Sequence, residues 1–234
     1  MKYLATLFAG FVLGVALFFA GMIYNPFIAD RGISPLSVTD AQVMSLAYSR
    51  VSSDNIVFTN DGESRQKPHP EKVQQLWEAP VRFTSAMATV VQDARGQAAG
   101  IGIKFSSQSE STSLINGRAL IDSAWYVYMP GRGSLFIEQS ENYWPFLTEV
   151  AFPAWKSSAN NWKGSWIRDM TAGPGALGTS RVTGGNGELK GLATNGVESM
   201  SVRAYSADTG HVSAEGRLLI EIPSIVADDQ ARSD

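Results

Sequence analysis

The chain contains no cysteine. That removes disulfides, thiolate nucleophiles, Cys-ligated zinc, Fe–S clusters and a lipid-modified cysteine anchor together, and leaves the redox compartment open. Histidine is scarce as well: His69 and His211 are the only two, and neither has a ligand pattern around it. With no HExxH-like spacing, no metal site is expected. Walker A and GxSxG sequences are missing too, which excludes their phosphate-loop and nucleophile-elbow chemistries. Residues Gly173-Pro174-Gly175-Ala176-Leu177-Gly178 spell GxGxxG, but another glycine-rich turn and a strand follow where a dinucleotide site needs a helix.

Basic clusters are also lacking. Of 19 Lys+Arg one, Lys2, lies in the apolar N-terminus, leaving 18 against all 22 Asp+Glu in the remainder. A mildly acidic domain without a basic run cannot neutralise a phosphate backbone, so nucleic acid is excluded as a partner. Hydrophobic residues make up 44% and charged residues 18%, a globular balance rather than a disordered one.

What the chain does have begins at its N-terminus. Tyr3 to Tyr24 carries no charge and is rich in Leu, Phe, Val, Ala and Gly. As a helix it would be ~33 Å long, enough for the ~30 Å hydrocarbon core of a bilayer. A secretory signal has a shorter apolar region and a small-x-small cleavage site. Gly14-Val15-Ala16 offers such a site but would leave Leu17-Phe18-Phe19 exposed, so residues 3–24 read as an uncleaved anchor in the lipid bilayer. Lys2 precedes the span, which places the N-terminus in the cytoplasm and the remainder outside the inner membrane or in the periplasm. Gly10, Gly14 and Gly21 share a face that would admit a second helix, a membrane-protein partner; the alternative is ordinary membrane-helix glycine.

The organisation expected is an anchor over 1–28, a linker region with short helices over 29–78, a β domain over 79–224 and a disordered tail over 225–234. Asp40, Val43, Leu46 and Ala47 predict a short helix over Thr39–Tyr48, and Pro70 opens a second over Glu71–Trp77. Beyond Pro80 the period becomes two. Ala119–Met129 and Ser134–Gln139 flank the turn Pro130-Gly131-Arg132-Gly133. Around Asp208-Thr209-Gly210, Met200, Val202, Leu218 and Ile220 predict one buried face, with His211 on the polar one. Eight to ten strand candidates without long intervening helices predict a mainly β domain, an antiparallel β-barrel of about eight strands, calycin-like.

Residues 178–196 (GTSRVTGGNGELKGLATNG), followed by an alternating strand, a turn and a final apolar strand, resemble the glycine-rich stretch of allene oxide cyclase-like and dirigent-like barrels, a Gly-Gly-Thr-Gly-x-Phe-x-Gly type of pattern. Gly184, Gly185, Gly187 and Gly191 occupy the glycine positions. Asn186 stands where Thr or Ser is usual, and Leu189 where an aromatic is usual. The resemblance implies an eight-stranded antiparallel barrel whose hydrophobic cavity binds an apolar molecule or steers its cyclisation, without metal or organic cofactor. No catalytic residue maps onto the chain, so none is assigned.

Two sets of side chains stand out as ligand-binding candidates. Tyr143, Trp144, Trp155, Trp162 and Trp166 form an aromatic cluster that could line a cavity, stack on sugars, rest on a membrane surface or simply fill the core. In the central hairpin, Met129 opposite Ser134 would set Trp125 opposite Glu138. An inward Glu138 would then be an isolated cavity carboxylate, and an outward one merely solvated. The function these features predict is a membrane-anchored extracytoplasmic domain that binds an apolar small molecule or serves as an accessory subunit of a membrane complex. A cofactor-free cyclase or isomerase is the alternative.

Overall fold

The computed structural model describes residues 2–23, 42–60, 73–75, 83–174 and 178–223. The predicted tail, most of the linker and His69 lie outside them. Helix α1 runs Lys2–Ile23, 22 residues, with Leu7, Phe8, Phe11 and Leu13 exposed. Taken over the described side chains alone, no helix is long and apolar enough to cross a membrane. A Cβ placed on Gly10, Gly14 or Gly21 would meet nothing within 4 Å.

The rest is mainly β: β1 (Gln42–Ser49), β2 (Ile56–Thr59), β3 (Val73–Gln75), β4 (Thr84–Gln92), β5 (Ala98–Gln108), β6 (Leu120–Met129), β7 (Gly133–Asn142), β8 (Asn161–Asp169), β9 (Thr171–Gly173), β10 (Ser180–Gly187), β11 (Ala193–Ser206) and β12 (Gly210–Ile222). They form one 12-stranded sheet. Eight strands follow one another as β1-β12-β11-β10-β7-β6-β5-β4, and the antiparallel pair Ala47–Gln92 returns β4 to β1, closing a ring. β2 extends β4 outward and takes β3 in parallel. β11 is bordered by β10 over 193–196 and by β8 over 199–206, so β8 continues the pairing of β11 beyond β10 at that end. A helical segment sits there: Trp144–Phe146, a π-helical turn Leu147–Ala151, then Phe152–Lys156.

Burial follows the period-two alternation of the strands. Met44, Leu46 and Tyr48 of β1, Trp125, Val127 and Met129 of β6, Leu135 and Ile137 of β7, and Leu218 and Ile220 of β12 fill the ring. A second core forms where Phe146 and Val150 of the helical segment pack on Trp166, Met200, Val202 and Tyr205.

Three expectations are corrected. Residues 42–49 are a strand rather than part of a helix: Met44, Leu46 and Tyr48 are buried alternately, and β12 pairs with all eight residues. Only Val73–Gln75 of the second predicted helix is described, and it is β3. In the central hairpin Met129 pairs with Gly133, so Trp125 stands opposite Ile137. Gly131 and Gly133 both take positive φ, +79° and +128°, which leaves Pro130–Arg132 as a three-residue turn. A one-residue change of register exchanges the faces of a strand. Trp125, Val127, Leu135 and Ile137 therefore point in, while Tyr128, Phe136 and Glu138 point out.

The glycine-rich stretch forms β10 and the turn into β11. A Cβ on Gly184 would overlap the Leu189 carbonyl, and Gly187 and Gly191 take φ of +63° and +80°. Gly185 lies against Ser134 and Phe136. Leu189 itself is buried in the ring.

Candidate functional site

Four charged side chains are buried together inside the ring. Arg50 follows β1, Lys104 lies on β5, Glu141 on β7 and Glu198 on β11; each occupies an inward position of its own strand or strand end. Lys104 Nζ is 2.6 Å from Glu141 Oε1 and donates to Glu198 at 2.9 Å. Arg50 donates to Glu198 and, at 3.3 Å, to Glu141. Both carboxylates are fully shielded from solvent, and the two cations are nearly so.

Neutral donors complete the network. Tyr48, Gln139 and Trp125 Nε1, the last at 3.0 Å, all donate to Glu198. Ser123 Oγ donates to Glu141 at 2.6 Å, and the Tyr143 hydroxyl does so at 3.1 Å while accepting from Arg50 at 2.7 Å. The Arg50 guanidinium lies 5.6 Å from the ring centre of Tyr48 and 5.8 Å from that of Tyr143, held between two aromatic faces.

Burial alone would push the Glu198 carboxyl up; Lys104, Arg50 and the Tyr48 hydrogen bond outweigh it and hold it at about 2. Burial would push Lys104 down, yet Glu141 and Glu198 raise it. Arg50 is likewise raised against its burial, by Tyr143, Tyr48 and the two carboxylates. Burial raises the phenols of Tyr48 and Tyr143. Glu198, Lys104 and Arg50 are thus ionised, and the network is internally paired.

The network floors a hollow of about 660 Å³. Arg50, Lys104, Glu141 and Tyr143 face it, with Glu198 behind them; Val57, Met87, Leu120 and Phe146 supply apolar wall. Leu114 and Leu147, 43% and 39% exposed, mark its mouth. This size suits a small organic molecule. His211 is also in the wall, 5.1 Å from the ring of Phe146 and 5.5 Å from that of Tyr205. Burial and, secondarily, Arg50 lower its pKa to about 3, so it is a neutral imidazole. Alternation had put His211 on the polar face. Register shifts between Val202 and Tyr205, opposite the start of β12, turn it inward instead.

Of the residues singled out from sequence, the fold brings Tyr143 to the hollow and Trp125 to the network beneath it. Glu138 is exposed on the outer face, 3.7 Å from Arg181. Trp166 is buried and donates to Glu149 at 2.7 Å. Trp162 packs beside it at the second core, Trp144 opens the helical segment half-buried, and Trp155 is exposed. A separate outer hollow of about 590 Å³ between β8, β11 and β12 holds none of the buried charges. Among the described residues no group of three or more His, Asp or Glu is placed to hold a metal.

Arg50, Lys104, Glu141 and Glu198 escaped the sequence reading. A signal existed for one: Glu198 is in phase with Met200 and Val202, the buried face of β11.

No known family matches the sequence, and no curated protein matches it. Among solved structures it is similar to one described as a nonspecific heme-binding cyclase that catalyses [4 + 2] cycloaddition during neoabyssomicin biosynthesis. The identity is 9% and the TM-score 0.36, over 80% of this chain and 70% of that one.

Proposed function

We propose that this chain is a membrane-tethered domain whose ring is a barrel that binds one small, mainly apolar molecule. The observation that carries the binding reading is the hollow itself: an apolar wall over a floor of fully paired, buried charges. Buried ions are costly unless paired, and here each carboxylate meets both cations, which fixes the floor in one arrangement, as a recognition surface requires. The tether is α1, whose sequence is uncharged after Lys2. The barrel reading, and with it the resemblance to allene oxide cyclase-like proteins, draws support from the eight-strand closure and the tight glycine turn between β10 and β11.

The pKa directions favour binding over a cyclase that works by proton transfer. Glu198 and His211 are moved down, Lys104 and both tyrosines up, so none of these groups is brought toward neutrality. Photo-crosslinking tests the proposal. The full chain in lipid nanodiscs is exposed to a diazirine-bearing C12 alcohol, and adducts are mapped by mass spectrometry. Adducts on peptides holding Met87, Leu120 or Tyr143, suppressed by Met87→Trp, are the expected result. Labelling confined to α1 overturns it.

A further inference from the structure

The charge balance of the floor restricts what can lie on it. Two cations, Arg50 and Lys104, face two carboxylates, Glu141 and Glu198, and all four pairings between them are made. Among the described residues no other Asp, Glu, Lys or Arg lines the hollow. Tyr48 and Tyr143 are phenols and His211 is a neutral ring. The floor therefore presents no net charge.

An ion entering such a site leaves water without finding a free counter-charge, and it repels two of the four charges while it attracts the other two. To gain a partner an anion would have to draw Lys104 or Arg50 away from two buried carboxylates, which would then depend on the other cation alone. An uncharged polar group meets no such penalty. Unsatisfied hydrogen-bonding atoms remain in the lining residues: Asn55 Oδ1 lacks a donor, Arg50 Nε–H lacks an acceptor, and His211 Nδ1 lacks a partner. A hydroxyl can donate and accept, and it suits this mixed set.

We infer that the hollow is selective for an uncharged amphiphile, an apolar body ending in a hydroxyl, and that the Arg50–Lys104–Glu141–Glu198 balance is what excludes fatty-acid-like anions and alkylammonium cations. This rests on the binding reading above and adds the ligand's charge class to it.

Three competitors of equal chain length test it: dodecanol, dodecanoate and dodecylammonium, each displacing the diazirine alcohol from the full chain in nanodiscs at pH 8. The expected result is displacement by dodecanol at a concentration at least tenfold below either ion. In Glu141→Gln, where the floor gains one net positive charge, dodecanoate should improve at least tenfold relative to dodecanol, while dodecylammonium should not. Either ion matching dodecanol on the unaltered chain overturns the charge selectivity and leaves the cavity reading standing. No adduct in cavity-lining peptides overturns both. Should Glu141→Gln fail to fold, the three competitors on the unaltered chain still decide.

Discussion

Tyr48 of β1 and Gly216 of β12 are register partners, and the phenol of the first lies over the bare Cα of the second. A Cβ at Gly216 would overlap Cζ and the hydroxyl of Tyr48. The same hydroxyl donates to Glu198, so this glycine allows the network its aromatic donor. Gly216→Ala should therefore displace Tyr48 and destabilise the fold by about 1–3 kcal/mol, as overpacking does. Urea denaturation checks the magnitude. Gly191→Ala is a useful contrast, since it strains a turn at φ +80° but meets no neighbour.

Lys104 bridges Glu141 and Glu198, so its loss leaves both carboxylates dependent on Arg50. Lys104→Met should cost about 3–5 kcal/mol, the range for breaking a buried pair from one side. Adding Glu141→Gln should recover part of that loss, because one uncompensated charge goes with it. A double-mutant cycle in urea measures the coupling; additive losses would mean the two side chains act independently.

The strands and their rough number were legible because alternation reports which face is buried, and β11 with β12 shows it plainly in Met200, Val202, Leu218 and Ile220. The site was much harder to see. On β5 the apolar parity, Ile101 and Phe105, points outward and is exposed, while Gly102 and Lys104 point in. A rule that sends apolar residues inward misorients that strand, and with it the lysine at the centre of the network. Glu138 and Trp125 were misjudged as partners because the turn spans three residues and not four. His211 was hidden by a local register shift, which no periodicity reports. Residues 42–49 were hidden by helix-forming residue types; pairing with β12 overrides a weak local preference.

The tether is tested on the whole protein. Alkaline carbonate extraction should leave the full chain in the membrane pellet, whereas release into the wash would rule out α1 as an anchor. Gly10→Leu with Gly14→Leu should then reduce co-purification of any membrane-protein partner by closing the small-residue face.

Below about pH 4.5 acid should act through Glu198. Its folded pKa of about 2 lies below the unfolded value of 4.5, so the unfolded chain takes up the proton first as pH falls. The stabilisation is complete above about 4.5 and lost as pH falls through about 2. Glu198→Gln should be less stable at neutral pH and show a shallower decline across that window. Unfolding free energies from urea titrations at pH 5, 4, 3 and 2 would show the two slopes; parallel curves would place the ionised carboxylate elsewhere.

His211 acts over a window that opens at higher pH. Buried against Phe146 and Tyr205 and facing the Arg50 charge, it stays neutral down to about 3, whereas an unfolded histidine gains its proton near 6.5. Between those values only the unfolded chain binds the extra proton, so stability falls with pH by at most about 1.4 kcal/mol per unit from this residue. His211→Gln keeps a polar side chain without that titration and should flatten the curve between pH 6.5 and pH 4.5, above the range where Glu198 contributes. The measurement is the change of melting temperature with pH for both proteins. If the two curves run parallel there, His211 is protonated in the fold, and the ring interior is more open to water than its burial implies.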